Sequence, residues 1–318
     1  MPILYLTEAD VGRVLTMELA LDAVSAAFRK LALEEAVNNP RQRCQTDHVM
    51  LHVLPAAAKT LGALGYKAYT VPKSGEAKFH VTLFDPKHGG MAAVVEADLL
   101  GQFRTGAASG VATKKLARAD ASTVGLFGTG KQARTQLLAV SKVRAIRKAH
   151  VYGRDPERRK AFAAQLAHET GVEVVPVERP EDAAKGLDIV ITATTSREPV
   201  LLGEWVSEGQ HLNVVGSNFL AKTETDVEVF RRTQVVSADS KEQAKLEAGD
   251  FVEPVKAGVL QWADVLEFAP LLVGRYPGRE SPQDVTLFKS LGLGIQDIAL
   301  AAKVVELAKQ QGLGRELL

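Results

Sequence analysis

The stretch Thr-Val-Gly-Leu-Phe-Gly-Thr-Gly-Lys-Gln-Ala-Arg, residues 123–134, decides the fold of this chain. Apolar residues before its glycines predict a strand, and the apolar spacing after them predicts a helix. Gly128 allows a tight turn, Gly130 allows close approach of a pyrophosphate, and Ala133 allows the helix to pack on the strand. The stretch therefore fits the G-x-G-x-x-A pattern of dinucleotide-binding proteins in its strand–turn–helix context. The predicted cofactor contacts here are Gly128, Thr129, Gly130, Lys131, Gln132 and Ala133.

Further apolar runs follow the glycine turn and alternate with helical patterns. They predict strands over residues 148–152, 172–177, 188–192, 210–215 and 233–236. Strands that alternate with helices indicate a parallel, doubly wound sheet of the Rossmann type. Ligands of such sheets bind at the carboxyl ends of the strands, so polar residues at those ends are candidate cofactor contacts. They are Arg154, Thr194, Thr195, Gly216 and Ser217.

The end of the second strand bears on which nicotinamide cofactor is bound. An acidic residue there selects NAD(H) through the ribose hydroxyls, whereas a nearby arginine accommodates the 2′-phosphate of NADP(H). Here Arg154 precedes Asp155, and Arg158 and Arg159 follow closely. The sequence therefore favours NADP(H). Asp155 keeps NAD(H) open, and the structural alternative is that Arg154 simply ends the strand in solvent.

The residues before the glycine turn predict a different architecture. Alternating apolar patterns over residues 49–54, 64–71, 79–84 and 91–95 indicate an antiparallel sheet. Helices are expected over residues 17–36 and 106–119, and over residues 298–311 near the end of the chain. The sheet pattern argues against a second nucleotide-binding domain.

The composition is that of a globular protein with two domains. The chain has 318 residues, of which 46% are hydrophobic and 24% charged, and a formal net charge of +1. So small a net charge indicates neither a nucleic acid nor an anionic membrane surface as partner. No apolar run is long enough to span a bilayer and no signal peptide is visible, so we expect a cytoplasmic location. The single cysteine, Cys44, excludes an internal disulfide and is expected to be a small buried residue.

Four motifs follow one another in an order that resembles the ornithine cyclodeaminase/mu-crystallin family. They are Arg-Thr at 104–105, the glycine turn at 128–133, Thr-Glu-Thr-Asp at 223–226 and Gly-Leu-Gly-Ile-Gln-Asp at 292–297. The resemblance covers nearly the whole chain. It implies an α/β fold in which a Rossmann-type doubly wound parallel sheet, residues 116–297, is inserted into an α+β substrate-binding and dimerisation domain. That second domain would comprise residues 1–115 with 298–318.

The resemblance also implies a chemistry. Members of the family act on amino or imino acids through a nicotinamide cofactor and form homodimers. The matched motifs add Thr105 and Gly292 to the expected cofactor contacts.

Cations are needed to hold the carboxylate of such a substrate, and the planar fork of arginine suits this task. Arg104 matches the carboxylate-binding Arg-Thr motif of the family, and Lys67 matches a lysine that contacts the substrate and is also a candidate catalytic residue. Arg41 resembles the first substrate arginine of the family. Arg43 lies on the same face at a period of two, so the roles of these two arginines remain interchangeable.

Two further residues have a catalytic and a structural interpretation. Asp226 matches an aspartate that handles protons at the substrate nitrogen, but it is also placed to cap the following helix. Glu228 takes that role if the register differs. His52 stands where cyclodeaminases of the family carry a glutamate, so it counts against ornithine cyclisation. It is predicted either to donate a proton to the substrate or to be an ordinary strand residue.

These residues favour a reductase of a cyclic imino acid, Δ1-pyrroline-2-carboxylate or Δ1-piperideine-2-carboxylate, which yields L-proline or L-pipecolate. Ornithine cyclodeaminase and alanine dehydrogenase are alternatives within the same class of enzyme. A non-catalytic protein that binds NADPH and a small ligand, as in the mu-crystallin branch, is the alternative from another class. The retained set of cations argues for an enzyme.

Overall fold

The structure is a computed structural model that describes residues 2–317. It divides into two compact units, which we call unit 1 (Met1–Arg104 with Gly292–Leu318) and unit 2 (Thr105–Leu291). The boundaries expected from the sequence fell after residues 115 and 297. The third helix, Asp98–Leu116, spans the first of these regions, and the last helix begins at Gly294, before residue 298. The domain boundaries stay a prediction.

Strands and helices are numbered along the chain. The strands are β1 (Ile3–Leu6), β2 (Ala36–Asn38), β3 (Gln42–Gln45), β4 (Val49–Ala58), β5 (Ala63–Pro72), β6 (Lys78–Phe84), β7 (Met91–Glu96), β8 (Thr123–Phe127), β9 (Lys148–Tyr152), β10 (Glu173–Pro176), β11 (Ile189–Thr192), β12 (His211–Val214), β13 (Val235–Ala238), β14 (Leu266–Glu267), β15 (Thr286–Lys289) and β16 (Arg315–Leu317). The helices are α1 (Glu8–Val14), α2 (Met17–Ala32), α3 (Asp98–Leu116), α4 (Lys131–Val143), α5 (Pro156–Thr170), α6 (Val227–Arg231), α7 (Lys241–Glu247), α8 (Gly249–Lys256), α9 (Phe268–Leu272) and α10 (Gly294–Gln310).

Unit 1 is built on a mixed sheet in the order β16-β1-β7-β6-β5-β4-β2, with β3 also paired to β4. Strands β4 to β7 form the predicted antiparallel meander. Strand β1 pairs with β7 in parallel, so the whole sheet is mixed. The side chains of β4 and β5 alternate between two faces, and α10 packs against one of them.

Helix α2 also packs against α10 and is shorter than predicted. The Thr16 hydroxyl accepts a hydrogen bond from the Leu19 N–H and thereby caps its first turn. Its apolar positions, among them Val24 and Phe28, are fully buried. The helix ends at Ala32, not at residue 36, because residues 36–38 pair with β4 as a strand.

Unit 2 is built on a parallel sheet in the order β10-β9-β8-β11-β12-β15-β13-β14. Every pair of neighbouring strands in it runs in parallel, so the predicted doubly wound sheet is confirmed. The sixth strand across this sheet is β15, which the sequence did not predict. The predicted sixth strand, β13, is the seventh across the sheet and pairs with β15. Strand β15 is short and buried on both faces, so it lacks the alternation that reveals a half-exposed strand.

The remaining observations concern Cys44, membrane-spanning helices and metal-ligating side chains. Cys44 was expected to be buried, but β3 presents it to solvent. Within residues 2–317, no helix has the length and apolar character needed to cross a membrane. The same residues contain no cluster of histidine, cysteine and carboxylate side chains suited to a metal ion. A cytoplasmic location stays a prediction.

Candidate active site

Two predicted substrate residues of unit 1 meet on one carboxylate. Lys67 lies on β5 and Arg104 on α3, and both contact Oδ1 of Asp297 in the first turn of α10. The distances to that oxygen are 2.8 Å from Lys67 Nζ and 3.1 Å from Arg104 Nε. All three side chains are buried. Two cations therefore share a single carboxylate oxygen, and these three groups carry one excess positive charge inside the protein.

Arg41 lies beside this group, at the start of β3. Its Nη2 donates a hydrogen bond of 3.3 Å to the carbonyl oxygen of Gly292. Gly292 has a φ of +81°, and a Cβ at this position would collide with Arg104 Nη1. Glycine is therefore required where the chain passes between the two arginines. We call Arg41, Lys67, Arg104 and Asp297 the cation cluster. Gly292, expected to contact the cofactor, is thus placed against this cluster in unit 1.

The cluster lowers the proton affinity of its lysine. Burial lowers the pKa of Lys67 to about 8; the positive charges of Arg104 and Arg41 act in the same direction, and Asp297 opposes them. An ordinary lysine titrates near 10.4. Lys67 can therefore both hold an anion and exchange a proton close to neutral pH.

An aromatic row runs beside the cluster on the same face of the sheet. The cross-strand pairs His52–Tyr69 and Tyr69–Phe79 connect β4, β5 and β6. The rings of His52 and Tyr69 are stacked, with centroids 4.2 Å apart and planes inclined by 3°. Lys67 Nζ lies 5.8 Å from the Tyr69 ring centroid and 5.3 Å from that of Phe79. We call His52, Tyr69 and Phe79 the aromatic row.

His52 enters this row as a neutral imidazole at physiological pH. Burial lowers its pKa to about 4, and the charges of Arg43 and Arg41 act in the same direction. Arg43 lies directly opposite His52 on β3. The neutral ring is poorly suited to supply a proton from an imidazolium, and its stacking on Tyr69 gives it a packing role. The sequence left both interpretations of His52 open.

The glycine turn of unit 2 has the geometry of a phosphate-binding loop. Gly128 has a φ of +116°, and a Cβ there would approach the carbonyl of Ala193 on the next loop. An added Cβ on Gly130 would meet no atom within 4 Å, so the space above this glycine is open. Gly130 is the N-cap of α4 and provides no side-chain cap, and the N-terminus of a helix favours the binding of an anion. Ala133, in the first turn of α4, is fully buried in the same core cluster as Val124 and Leu126 of β8.

The neighbouring strand end holds the predicted cofactor-selecting residues. Arg154 is exposed after β9. The Asp155 carboxylate accepts a hydrogen bond from the Arg158 N–H, so this acidic side chain caps α5. Arg158 also donates to the carbonyl oxygen of Thr129, at 3.2 Å from Nε and 3.1 Å from Nη2. The turn between Gly128 and Gly130 is thereby tied to α5.

The loops after β11 and β12 converge on a buried glutamate. The Thr194 and Gly216 N–H groups each donate a hydrogen bond of 2.6 Å to the Glu224 carboxylate. Thr195 is exposed, whereas the Ser217 side chain is buried and donates to the carbonyl oxygen of Lys222. The predicted loop residues are therefore brought to one edge of the unit 2 sheet.

Asp226 and Thr105 also belong to unit 2. Asp226 Oδ1 accepts hydrogen bonds from the N–H groups of Gly203, at 2.9 Å, and Val229, at 3.0 Å. It therefore caps α6, which is the structural interpretation given above. Glu228 is half-exposed and forms an ion pair with Arg231. Thr105 is buried on α3.

Sequence reasoning missed Asp297 and Gln296 as site residues. Gln296 Oε1 accepts a hydrogen bond of 3.2 Å from Arg104 Nη1. Both residues stood in the quoted Gly-Leu-Gly-Ile-Gln-Asp motif but received no role. The available signal was a polar pair in the first turn of an otherwise apolar helix, since such residues are buried only with partners.

Comparisons with known proteins identify the family of this chain. The model of the ornithine cyclodeaminase/mu-crystallin family matches residues 3–312. An alanine dehydrogenase of Archaeoglobus fulgidus is 33% identical over an alignment of 324 positions, which covers 100% of this chain and 98% of the relative. A Δ1-pyrroline-2-carboxylate reductase of Bacillus cereus is 36% identical over 272 residues, which cover 83% of each protein.

A solved structure extends the likeness to the fold. The Δ1-pyrroline-2-carboxylate reductase of Thermococcus litoralis, in complex with NADH and L-proline, is 35% identical. It superimposes with a TM-score of 0.94 over 99% of this chain and 100% of its own. The predicted family and fold class are confirmed. The predicted class of enzyme, a nicotinamide-dependent oxidoreductase, is confirmed as well, since these relatives are reductases and dehydrogenases.

Proposed function

We propose, for a chain that belongs to the ornithine cyclodeaminase/mu-crystallin family, that it reduces a cyclic imino acid with a nicotinamide cofactor. The substrate is Δ1-pyrroline-2-carboxylate or Δ1-piperideine-2-carboxylate, and the product is L-proline or L-pipecolate. The observation that carries this proposal is the cation cluster, in which Lys67 and Arg104 share one oxygen of Asp297.

The cluster suits a substrate carboxylate for reasons of charge and geometry. Buried cations are costly unless they are compensated, and Asp297 compensates only one of Lys67 and Arg104. Arg104 directs Nε and Nη1 to Asp297 and Gln296, and its planar fork carries further donors. A bound carboxylate would offset the excess charge of Lys67, Arg104 and Asp297 and accept those hydrogen bonds.

The aromatic row favours a ring over a second acidic group. His52, Tyr69 and Phe79 present apolar and stacked surface next to Lys67. A flat five- or six-membered imine ring has a complementary face. We therefore infer a preference for cyclic imino acids over dicarboxylic ones such as iminosuccinate.

Reduction of a C=N bond needs a hydride at carbon and a proton at nitrogen. The nicotinamide supplies the hydride when it is bound. Lys67, whose pKa is lowered to about 8, is our first candidate for the proton, because a buried ammonium of reduced pKa gives up a proton readily. Asp226 remains the second candidate and His52 the third.

For the cofactor we propose contacts with the glycine turn, the first turn of α4 and the loops that hold Thr194 and Gly216. Arg154 is exposed at the end of β9 and Asp155 is occupied as a helix cap, which supports NADP(H) as the preferred form. The Thermococcus litoralis relative holds NADH, so NAD(H) is the competing form. Arg154→Ser should reduce kcat/KM for NADPH at least tenfold and leave that for NADH within twofold.

The unit 1 sheet also supports the predicted homodimer. The face opposite α10 carries apolar side chains from several strands, among them Val53, Leu64 and Tyr66, which are half-buried or exposed. We propose a second copy of the chain as the partner that covers this face, because contiguous exposed apolar surface marks an interaction site. Sedimentation of the purified protein should give twice the mass of one chain.

Alanine dehydrogenase is the second candidate, because the Archaeoglobus fulgidus relative matches the whole chain. A panel of substrates separates the candidates. We expect the highest kcat/KM with Δ1-pyrroline-2-carboxylate or Δ1-piperideine-2-carboxylate, and at least a hundredfold less with pyruvate plus ammonia or with iminosuccinate. Faster turnover of pyruvate plus ammonia would favour the dehydrogenase. Ammonia release from ornithine with catalytic NAD would favour a cyclodeaminase, and binding without turnover a mu-crystallin-like protein.

A further inference from the structure

Glu224 is a fully buried carboxylate that joins two loops of unit 2. Its Oε1 accepts hydrogen bonds from the Thr194 N–H, at 2.6 Å, and the Thr194 hydroxyl, at 2.8 Å. Its Oε2 accepts from the Gly216 N–H, at 2.6 Å, and the Thr192 hydroxyl, at 2.8 Å. One side chain therefore sets the spacing between the loop after β11 and the loop after β12.

The two loops approach each other so closely that no side chain fits between them. A Cβ added to Gly216 would collide with the backbone nitrogen and oxygen of Thr194 and with Glu224 Oε1. The loops are therefore held against each other by backbone contact as well as by the carboxylate. We expect a change in the carboxylate to alter the spacing of the two loops.

The backbone of Glu224 is held by a buried ion pair. Its N–H donates a hydrogen bond of 2.6 Å to Asp250 Oδ1, and Asp250 Oδ2 pairs with Lys289 Nζ at 2.8 Å. Asp250 and Lys289 are almost completely buried. Two carboxylates and one ammonium inside a protein are costly, and every oxygen of Glu224 must be well satisfied to offset that cost. Only a carboxylate can accept from all four donors, since an amide would turn a donor toward two of them.

We propose that Glu224 is a positioning residue for the dinucleotide. It is buried below the surface and does not touch the ligand. It holds Thr194 and Gly216 at the separation that the cofactor requires, at the carboxyl ends of adjacent parallel strands, where such ligands bind. This role rests on the proposed function, which assigns the cofactor to these loops.

The test is Glu224→Gln, with the dissociation constant for NADH and NADPH measured by nicotinamide fluorescence in the full chain. We expect both constants to rise at least tenfold, while the KM for the imino acid at saturating cofactor stays within twofold. Glu267→Gln is the matched control. Glu267 also lies in unit 2 and accepts a backbone hydrogen bond, at 2.8 Å from the N–H of Lys241, a residue that belongs to neither loop. Its constants should stay within twofold of the wild type.

A purely structural role would lower the folded fraction and leave the dissociation constants of the folded protein unchanged, and that result overturns the proposal. If Glu224→Gln does not fold, Thr192→Val removes one buried donor while it keeps the shape of the side chain. It should raise both constants about threefold, and unchanged constants overturn the proposal equally. If the wild-type chain binds neither dinucleotide, the proposed function is refuted and the positioning role is refuted with it.

Discussion

Replacement of Arg104 by alanine is the sharpest test of the cation cluster. Arg104 is 8% exposed and its guanidinium reaches Asp297 and Gln296 at 3.1 and 3.2 Å. A charge-assisted hydrogen bond contributes about 1.5–3 kcal/mol. Loss of a two-pronged contact with the substrate carboxylate should therefore cost roughly 3 kcal/mol, because Lys67 and entering water recover part of the total.

At about 1.4 kcal/mol per factor of ten, this corresponds to a loss of roughly 100-fold in kcat/KM for the imino acid. The structure adds a second signature. The charge of Arg104 lowers the pKa of Lys67, so its removal should shift the alkaline limb of substrate binding to higher pH. The dissociation constant for the dinucleotide should not change, since the predicted cofactor residues of the glycine turn belong to unit 2.

The assay is the initial rate of nicotinamide oxidation as a function of imino acid concentration, from pH 6 to pH 10. Arg179→Ala is the control, because Arg179 forms an exposed ion pair with Asp182 in unit 2 and should leave the KM within twofold. Circular dichroism confirms that both variants are folded. A folded Arg104→Ala protein with wild-type kcat/KM and an unshifted alkaline limb refutes the carboxylate assignment.

Three further outcomes are expected. Affinity for pyrrole-2-carboxylate, a planar analogue of the substrate, should fall as the pH rises through about 8, because Lys67 loses its proton there. Lys67→Met should bind the analogue weakly at every pH. An affinity of the wild type that does not change with pH contradicts the binding of the carboxylate by Lys67. Asp226→Asn keeps an N-cap residue, so thermal stability should hold, and kcat should stay within threefold because Lys67 is the first candidate for the proton. A fall of roughly 100-fold in kcat would assign the proton transfer to Asp226 instead. Burial lowers the pKa of His211 to about 3, so the unfolded chain binds a proton that the folded chain does not, and stability falls as the pH drops below 6.5. Between pH 6.5 and 4.5, the free energy of unfolding measured in urea should fall by roughly 2 kcal/mol more in the wild type than in His211→Gln. An equal fall in the two proteins excludes His211 as the source of the pH dependence.

The fold was predictable wherever a local sequence pattern is enough to identify a helix or a strand. The glycine turn identified β8 and α4, and period-two alternation identified β4 to β7. Strand β15 was missed because it is buried on both faces and only four residues long. The parallel pairing of β1 with β7 was missed because pairing between distant strands leaves no local pattern.

The site was predictable as a set of residue types but not as a network. Arg104 and Lys67 were predicted as substrate residues, but their shared partner Asp297 was not, although its motif had been quoted. Asp297 lies far from Lys67 and Arg104 in the sequence, and no local pattern shows that the three side chains are buried together. Glu224 was missed for the same reason, since its four donors come from the end of β11, the loop after it and the loop after β12.

The most direct test of the proposed activity is stoichiometry. Purified protein is mixed with NADPH and Δ1-pyrroline-2-carboxylate, and the loss of absorbance of the reduced nicotinamide is compared with the L-proline formed. We predict one molecule of L-proline for each molecule of NADPH oxidised, with NADH oxidised more slowly. If the nicotinamide is not oxidised with either the five-membered or the six-membered cyclic imine, the assignment as a cyclic imino acid reductase is wrong.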